Sequence, residues 1–225
     1  MNMLKTYKRK KLVSELQLVL TLLFVVALVV SNIITSKQVL LPFNITMTGA
    51  VFIFPITYIL SDLVSEVYGY RWSRLTCYFG FAANLFAALV FSAVIQSPAP
   101  EYWHNQEAFQ TVLGSTPRVL VASLLAFVIG DFVNDRIFAK MKRKYPDSIK
   151  GFGARAIFSS LMGELVDSLV FLPLAFWGLM PVETLIIMTI SQVAIKTGYE
   201  LVILPFTTLA VKLVTKYENR KVPFE

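Results

Sequence analysis

Four pairs of ionisable side chains lie inside long apolar stretches of this 225-residue chain. The pairs are Asp62 and Glu66, Asp131 and Asp135, Glu164 and Asp167, and Lys196 and Glu200. Spacings of three or four residues put both members of a pair on one face of a helix. A charge at the middle of a bilayer costs about 2.5–3.5 kcal/mol on insertion scales, so such charges face protein or a wet cavity. The spacing therefore predicts helices whose charged faces line a shared polar site.

The depth of these charges within their apolar stretches divides them into two groups. For the deep group we favour a substrate-binding role. The alternative is a structural ion pair between the lysine and a carboxylate. It consists of Asp131, Glu164, Asp167 and Lys196. The group near the expected membrane boundary favours structural or gating ion pairs. It consists of Asp62, Glu66 and Asp135, with Arg71 and Arg74 as basic partners.

The polar groups of these stretches indicate what the site would bind. A carboxylate accepts two parallel hydrogen bonds from a planar group with adjacent N–H donors, such as the edge of a guanine-like base. Asn32, Asn134 and Gln192 can donate as well as accept, and so can read a carbonyl or a ring nitrogen. An inorganic cation is the competing ligand, because carboxylates and carbonyls also suit hard metals.

The composition predicts that membrane helices position these side chains. Hydrophobic residues make up 56% of the chain and charged residues only 16%, against about 25% charged residues in soluble domains. Backbone polar groups in lipid must be satisfied within the segment, so the apolar stretches are expected to be helices. The expected fold is an all-α integral membrane bundle of six transmembrane helices. The expected spans are 16–36, 38–61, 75–100, 118–139, 154–179 and 183–212.

The distribution of basic residues predicts the orientation. With six spans, all but four of the 21 lysines and arginines fall at the termini and in the two loops on the same side. The positive-inside rule places that side, with both termini, in the cytoplasm. The expected organisation is a basic N-terminus over 1–12, a six-span domain over 13–216 and a tail over 217–225. The net charge of +7 then reflects contact with anionic lipid, and no nucleic-acid partner is expected.

Several chemistries are excluded by residue counts. Cys77 is the only cysteine and His104 the only histidine, so an internal disulfide and Cys- or His-based metal centres are excluded. The chain contains no Walker A pattern, so it is not expected to hydrolyse ATP. We expect no enzymatic activity, no cofactor and no bound metal.

A series of polar, glycine and proline residues, taken in their order along the chain, resembles the pattern of one family. The matching residues are Ser31 and Asn32; Pro55, Ser61, Asp62, Tyr68, Gly69, Ser73 and Arg74; Gly130, Asp131 and Asn134; Ser159, Ser160, Gly163 and Asp167; and Lys196 and Pro205. At these spacings, roughly residues 25–210 resemble the queuosine-precursor transporters, also called the vitamin uptake transporter family.

The resemblance implies a multi-pass importer of 7-deazaguanine precursors (preQ0, preQ1 or queuine) in the bacterial inner membrane. It also implies that Asp131, Asn134, Asp167 and Lys196 line the substrate site. Transport would be facilitated or proton-coupled, by alternating access. Two alternatives stay open: a substrate-capture subunit of an energy-coupling-factor importer, and a membrane enzyme acting on lipid-linked substrates. The expected partners are the deazapurine and the bilayer, and a homodimer is compatible with a bundle of this size.

Overall fold

A computed structural model describes residues 13–42, 45–144 and 149–221. These residues are mostly helical, with one small β-hairpin. The helices are α1 (Glu15–Ile34), α2 (Phe54–Tyr68), α3 (Tyr70–Gln96), α4 (Gln106–Leu113), α5 (Thr116–Lys144), α6 (Ile149–Phe176) and α7 (Val182–Lys221). The strands are β1 (Gln38–Leu41) and β2 (Ile45–Thr48), followed by a 3₁₀ turn at Gly49–Phe52.

Most of the predicted membrane segments are helices. α1 and α3 cover the expected first and third spans, and α5, α6 and α7 cover the last three. Ser14 caps α1, because its hydroxyl accepts a 3.0 Å hydrogen bond from the Gln17 N–H. Three stretches of the described chain are long and apolar enough to cross a membrane: Glu15–Ile34, Arg71–Gln96 and Gln106–Gly130. The chain is therefore a multi-pass helical membrane protein.

The prediction of a single helix over 38–61 is wrong in its first half. Residues 38–41 and 45–48 pair as antiparallel strands, with Gln38 opposite Thr48 and Leu41 opposite Ile45. Pro42 cannot continue a helical hydrogen-bond ladder, and the β-branched residues of β2 favour an extended backbone. α2 then contributes only 15 residues, or about 22 Å of helix. An uncharged run of this length was compatible with either structure.

One face of the hairpin is covered by protein. Met47 of β2 is 1% exposed and belongs to one apolar cluster with side chains from the first turns of α5, the end of α6 and the start of α7. We call this group the hairpin cluster, and the end of the molecule that holds it the hairpin end. Its members are Met47, Val119, Ala122, Ala126, Phe171, Leu172, Ala175, Phe176, Leu185 and Met188. Non-helical backbone at membrane depth requires such cover.

Glu218 joins α1, α2 and α7 at the end of the molecule opposite the hairpin end. Its Oε1 accepts hydrogen bonds from Ser14 Oγ at 2.7 Å and from Tyr68 Oη at 2.9 Å. The start of α1, the end of α2 and the last turns of α7 therefore meet at what we call the Glu218 end. α7 reaches it as one helix of 40 residues with Pro205 inside, about 60 Å long.

Replacing Glu218 by alanine should lower the melting temperature, because two hydroxyl groups lose one charged acceptor. Hydrogen bonds to charged groups contribute about 1.5–3 kcal/mol each when buried, and less at a half-buried site. We therefore expect a loss on the order of 1–2 kcal/mol. Glu101→Ala, at an exposed glutamate, is the matched control and should leave the melting temperature unchanged. Equal melting curves for the two variants would show that Glu218 does not hold these helices together.

Candidate functional site

Two of the predicted site residues form an ion pair between α6 and α7. Lys196 Nζ lies 2.8 Å from Asp167 Oδ2 and donates a hydrogen bond to it. The lysine side chain is 6% exposed and the aspartate 29%. Because the carboxylate is the more open partner, a polar molecule reaching this pair would meet Asp167 first.

The pair lies well inside the helices. Asp167 comes nine residues before the end of α6, and Lys196 fourteen residues after the start of α7. At 1.5 Å per residue these positions are about 14 and 21 Å from the hairpin end of their helices. A hydrocarbon core is about 30 Å thick, so the pair is at a depth where a charge needs a partner or a wet cavity.

α5 approaches the pair closely at Gly130. A Cβ atom added there would lie 2.8 Å from the Gly163 carbonyl oxygen and 3.2 Å from Asp167 Cβ. Only glycine allows the two backbones this separation. The next residue of α5 is Asp131, so the backbone of this predicted site residue lies beside the pair. The side chains of Asp131, Asn134 and Asp135 lie outside the described part of the structure, and their roles stay predictions.

Other polar side chains that are close in sequence to Asp167 or Lys196 are also buried or half-buried. Gln192 precedes Lys196 by one helical turn and is 1% exposed. Neither its Nε2 nor its Oε1 has a hydrogen-bond partner among the described residues. Glu164, three residues before Asp167, is half-buried. Ser168 is 0% exposed and was missed by the sequence analysis, although its position directly after Asp167 in an apolar run was a usable signal.

Asn32 lies in a different contact. Its Nδ2 donates to Asn84 Oδ1 at 2.6 Å, and the Asn84 amide donates to the Gly80 carbonyl at 2.9 Å. Both asparagines are buried. This chain of hydrogen bonds joins α1 to α3, where a Cβ at Gly80 would lie 2.7 Å from Leu28 Cδ2. The contact gives Asn32 a packing role, and its predicted substrate role is not needed to explain its burial.

Four of the five residues predicted as structural or gating charges flank the α2–α3 junction in the chain, and the fifth, Asp135, lies on α5. Asp62 and Glu66 lie on the exposed surface of α2, and Arg71 is exposed at the start of α3. Arg74, one turn further, is half-buried. Tyr68, which bonds Glu218, lies between these two groups in the chain. Glu66 and Arg71, which lie within three residues of Tyr68, therefore belong to the Glu218 end.

The donor set of the described residues is that of a hydrogen-bonding site. Among the side chains that the structure describes, which do not include those of Asp131, Asp135 and Glu200, no three His, Cys, Asp or Glu residues come together as metal ligands would. Asp167 supplies an acidic acceptor and Lys196 a basic donor. Gln192, one helical turn from Lys196, supplies an amide. Such groups bind a planar polar molecule through directed hydrogen bonds.

The chain is similar to known transport proteins. Residues 48–210 match the family described as "putative vitamin uptake transporter". The chain is 28% identical over 193 residues to a Bacillus subtilis (strain 168) protein named "probable queuosine precursor transporter", covering 86% of this chain and 83% of that protein. No solved structure matches. The matched segment includes α2, the whole of α5 and α6, and Lys196 on α7. The chain thus belongs to the vitamin uptake transporter family, whose members are membrane transporters and not enzymes.

Proposed function

We propose that this chain imports 7-deazaguanine precursors of queuosine across the bacterial cytoplasmic membrane. The observation that carries the substrate class is the similarity, over 86% of the chain, to a relative named for queuosine precursors. The proposed substrates are preQ0, preQ1 and queuine, which share a guanine-like ring.

The geometry supports a base of this type. Asp167 offers an acceptor that is 29% exposed beside a buried cation. A carboxylate can accept a hydrogen bond from the exocyclic amine of a guanine-like base. Lys196 Nζ lies 2.8 Å from this carboxylate and compensates its charge. We assign substrate contacts to Asp167, Lys196 and Glu164 among the residues with described side chains, and to Asp131 and Asn134 by resemblance.

The proposed topology has six crossings with both termini in the cytoplasm, over 13–216. The hairpin and α2 together would make the second crossing. The hydrogen bonds of Glu218 to Ser14 and Tyr68 support a common side for the two chain ends. The basic residues of the termini favour the cytoplasm for that side.

Transport would follow alternating access. The hairpin cluster lies between the Lys196–Asp167 pair and the hairpin end, so entry from that end requires the hairpin to separate from α5, α6 and α7. The Glu218 contacts hold the opposite end and would open for release. Protonation of Asp167 or Glu164 would couple import to a proton gradient. An uptake rate unchanged by collapsing the gradient would instead indicate facilitated transport.

Thermal stabilisation by ligands tests the substrate class. In detergent, preQ0, preQ1 or queuine should raise the melting temperature of the wild-type chain more than adenine does. A ligand at 100 times its dissociation constant stabilises the folded state by about 2.7 kcal/mol. The shift should vanish in Asp167→Asn and persist in Glu101→Gln. No shift with any deazapurine would contradict the proposal, and a shift retained in Asp167→Asn would overturn the role of Asp167.

A further inference from the structure

We propose that Gln192 is a specificity-determining residue that hydrogen-bonds the lactam edge of the transported base. The lactam edge is the adjacent ring N–H and carbonyl oxygen of a guanine-type ring. This inference rests on the proposed function and adds to it the group that reads this edge.

The burial of Gln192 without partners is the first observation. The side chain is 1% exposed, and both of its polar atoms lack hydrogen bonds within the described chain. Buried polar groups nearly always have partners, and leaving a donor and an acceptor unpaired is unfavourable. A neighbouring side chain shows the contrast: Thr189, also buried, donates to the Leu185 carbonyl at 2.8 Å. The unpaired amide is therefore suited to hydrogen-bond a molecule that binds and is then released.

The position of Gln192 is the second observation. It lies one helical turn from Lys196 and one turn from Met188, on the same face of α7. Met188 is 0% exposed and belongs to the hairpin cluster. Along α7, Gln192 thus lies between the hairpin cluster and the Lys196–Asp167 pair. A base held at Asp167 and Lys196 would lie within about one helical turn of the Gln192 amide.

The chemistry of the amide is complementary to that edge. A glutamine side chain carries an N–H donor and a carbonyl acceptor side by side. The lactam carries the same two functions, so two parallel hydrogen bonds form with donor facing acceptor. A base without the 6-oxygen carries a bare ring nitrogen in place of the ring N–H, so its donor and acceptor pattern no longer matches that of the amide. Sites built this way reject such analogues.

The test compares two ligands in two proteins. The ligands are 7-deazaguanine and its 6-deoxo analogue, 2-amino-7-deazapurine, and the variant is Gln192→Met. In the wild type the 6-deoxo analogue should bind about 10- to 100-fold more weakly, as expected for two lost hydrogen bonds. In Gln192→Met this ratio should fall to within about threefold of unity. Thr189→Val is the matched control and should keep the wild-type ratio.

The melting temperature of the ligand-free protein separates recognition from a structural role. Gln192→Met removes a buried amide without partners, so it should melt at the wild-type temperature or above it. A clearly lower melting temperature, or an unchanged ligand ratio, would overturn the inference. Failure of both ligands to bind the wild type would instead contradict the proposed function.

Discussion

Lys196→Met should be among the most damaging single substitutions in the described chain. It leaves the Asp167 carboxylate without the cation that lies 2.8 Å away. Removing one partner of a buried ion pair costs about 3–5 kcal/mol, because the other charge stays buried and uncompensated. Asp167→Leu should also be strongly destabilising, since it removes the acceptor 2.8 Å from a lysine side chain that is only 6% exposed. Both variants should also lose substrate uptake.

The double variant Lys196→Met with Asp167→Leu distinguishes a binding role from a structural one. Replacing both members of a buried pair by apolar side chains of similar volume is often neutral or stabilising. We therefore expect the double variant to recover most of the melting temperature lost in either single variant. Uptake should stay absent, because the groups that contact the substrate are gone. Recovery of uptake together with stability would show that the pair is only structural.

Gly130→Ala should have the second largest effect. The added Cβ would lie 2.8 Å from the Gly163 carbonyl oxygen, which real Cβ atoms do not tolerate, and the obstacle is backbone. α5 and α6 must therefore move apart beside Asp167. Overpacking of this kind costs about 1–3 kcal/mol, although alanine is the better helix former by about 1 kcal/mol. The melting temperature and the initial rate of uptake should both fall.

Gly198→Ala is the matched control for this substitution. Gly198 also lies within a long helix, but nothing is found within 4 Å of an added Cβ. Only the helix propensity changes there, so the variant should be as stable as the wild type or more stable by up to about 1 kcal/mol. If Gly130→Ala behaved in the same way as Gly198→Ala, the close contact of α5 with α6 would not matter for folding or transport.

The sequence predicted well those features that depend on local pattern. Uncharged runs located α1 and α3, because length and hydropathy decide whether a helix can span lipid. Helical spacing put Glu164 and Asp167 on one face of what is observed as α6. The cost of an isolated charge in lipid predicted that Lys196 faces protein or a wet cavity, with a carboxylate partner as one alternative. Which acid it contacts depends on how α6 and α7 dock, and the pattern left that choice open.

The hairpin shows why other features of the fold and of the candidate site could not be predicted from the sequence. Its residues are as apolar as those of a membrane helix, and short apolar runs do not distinguish strand from helix by periodicity. What allows an extended backbone there is cover from α5, α6 and α7, which is a tertiary property. The same holds for Asn32, whose partner Asn84 is 52 positions away. The unpaired state of Gln192 is likewise visible only once its neighbours are placed.

Uptake by the purified chain in liposomes tests the central claim most directly. The assay would follow labelled preQ1 into vesicles containing only this protein, with unlabelled preQ0, queuine and adenine as competitors. We predict saturable uptake that preQ0 and queuine inhibit and adenine does not, and that the Lys196→Met, Asp167→Leu double variant lacks. Uptake no faster than in protein-free vesicles, by a protein whose melting curve shows it to be folded, would contradict the account.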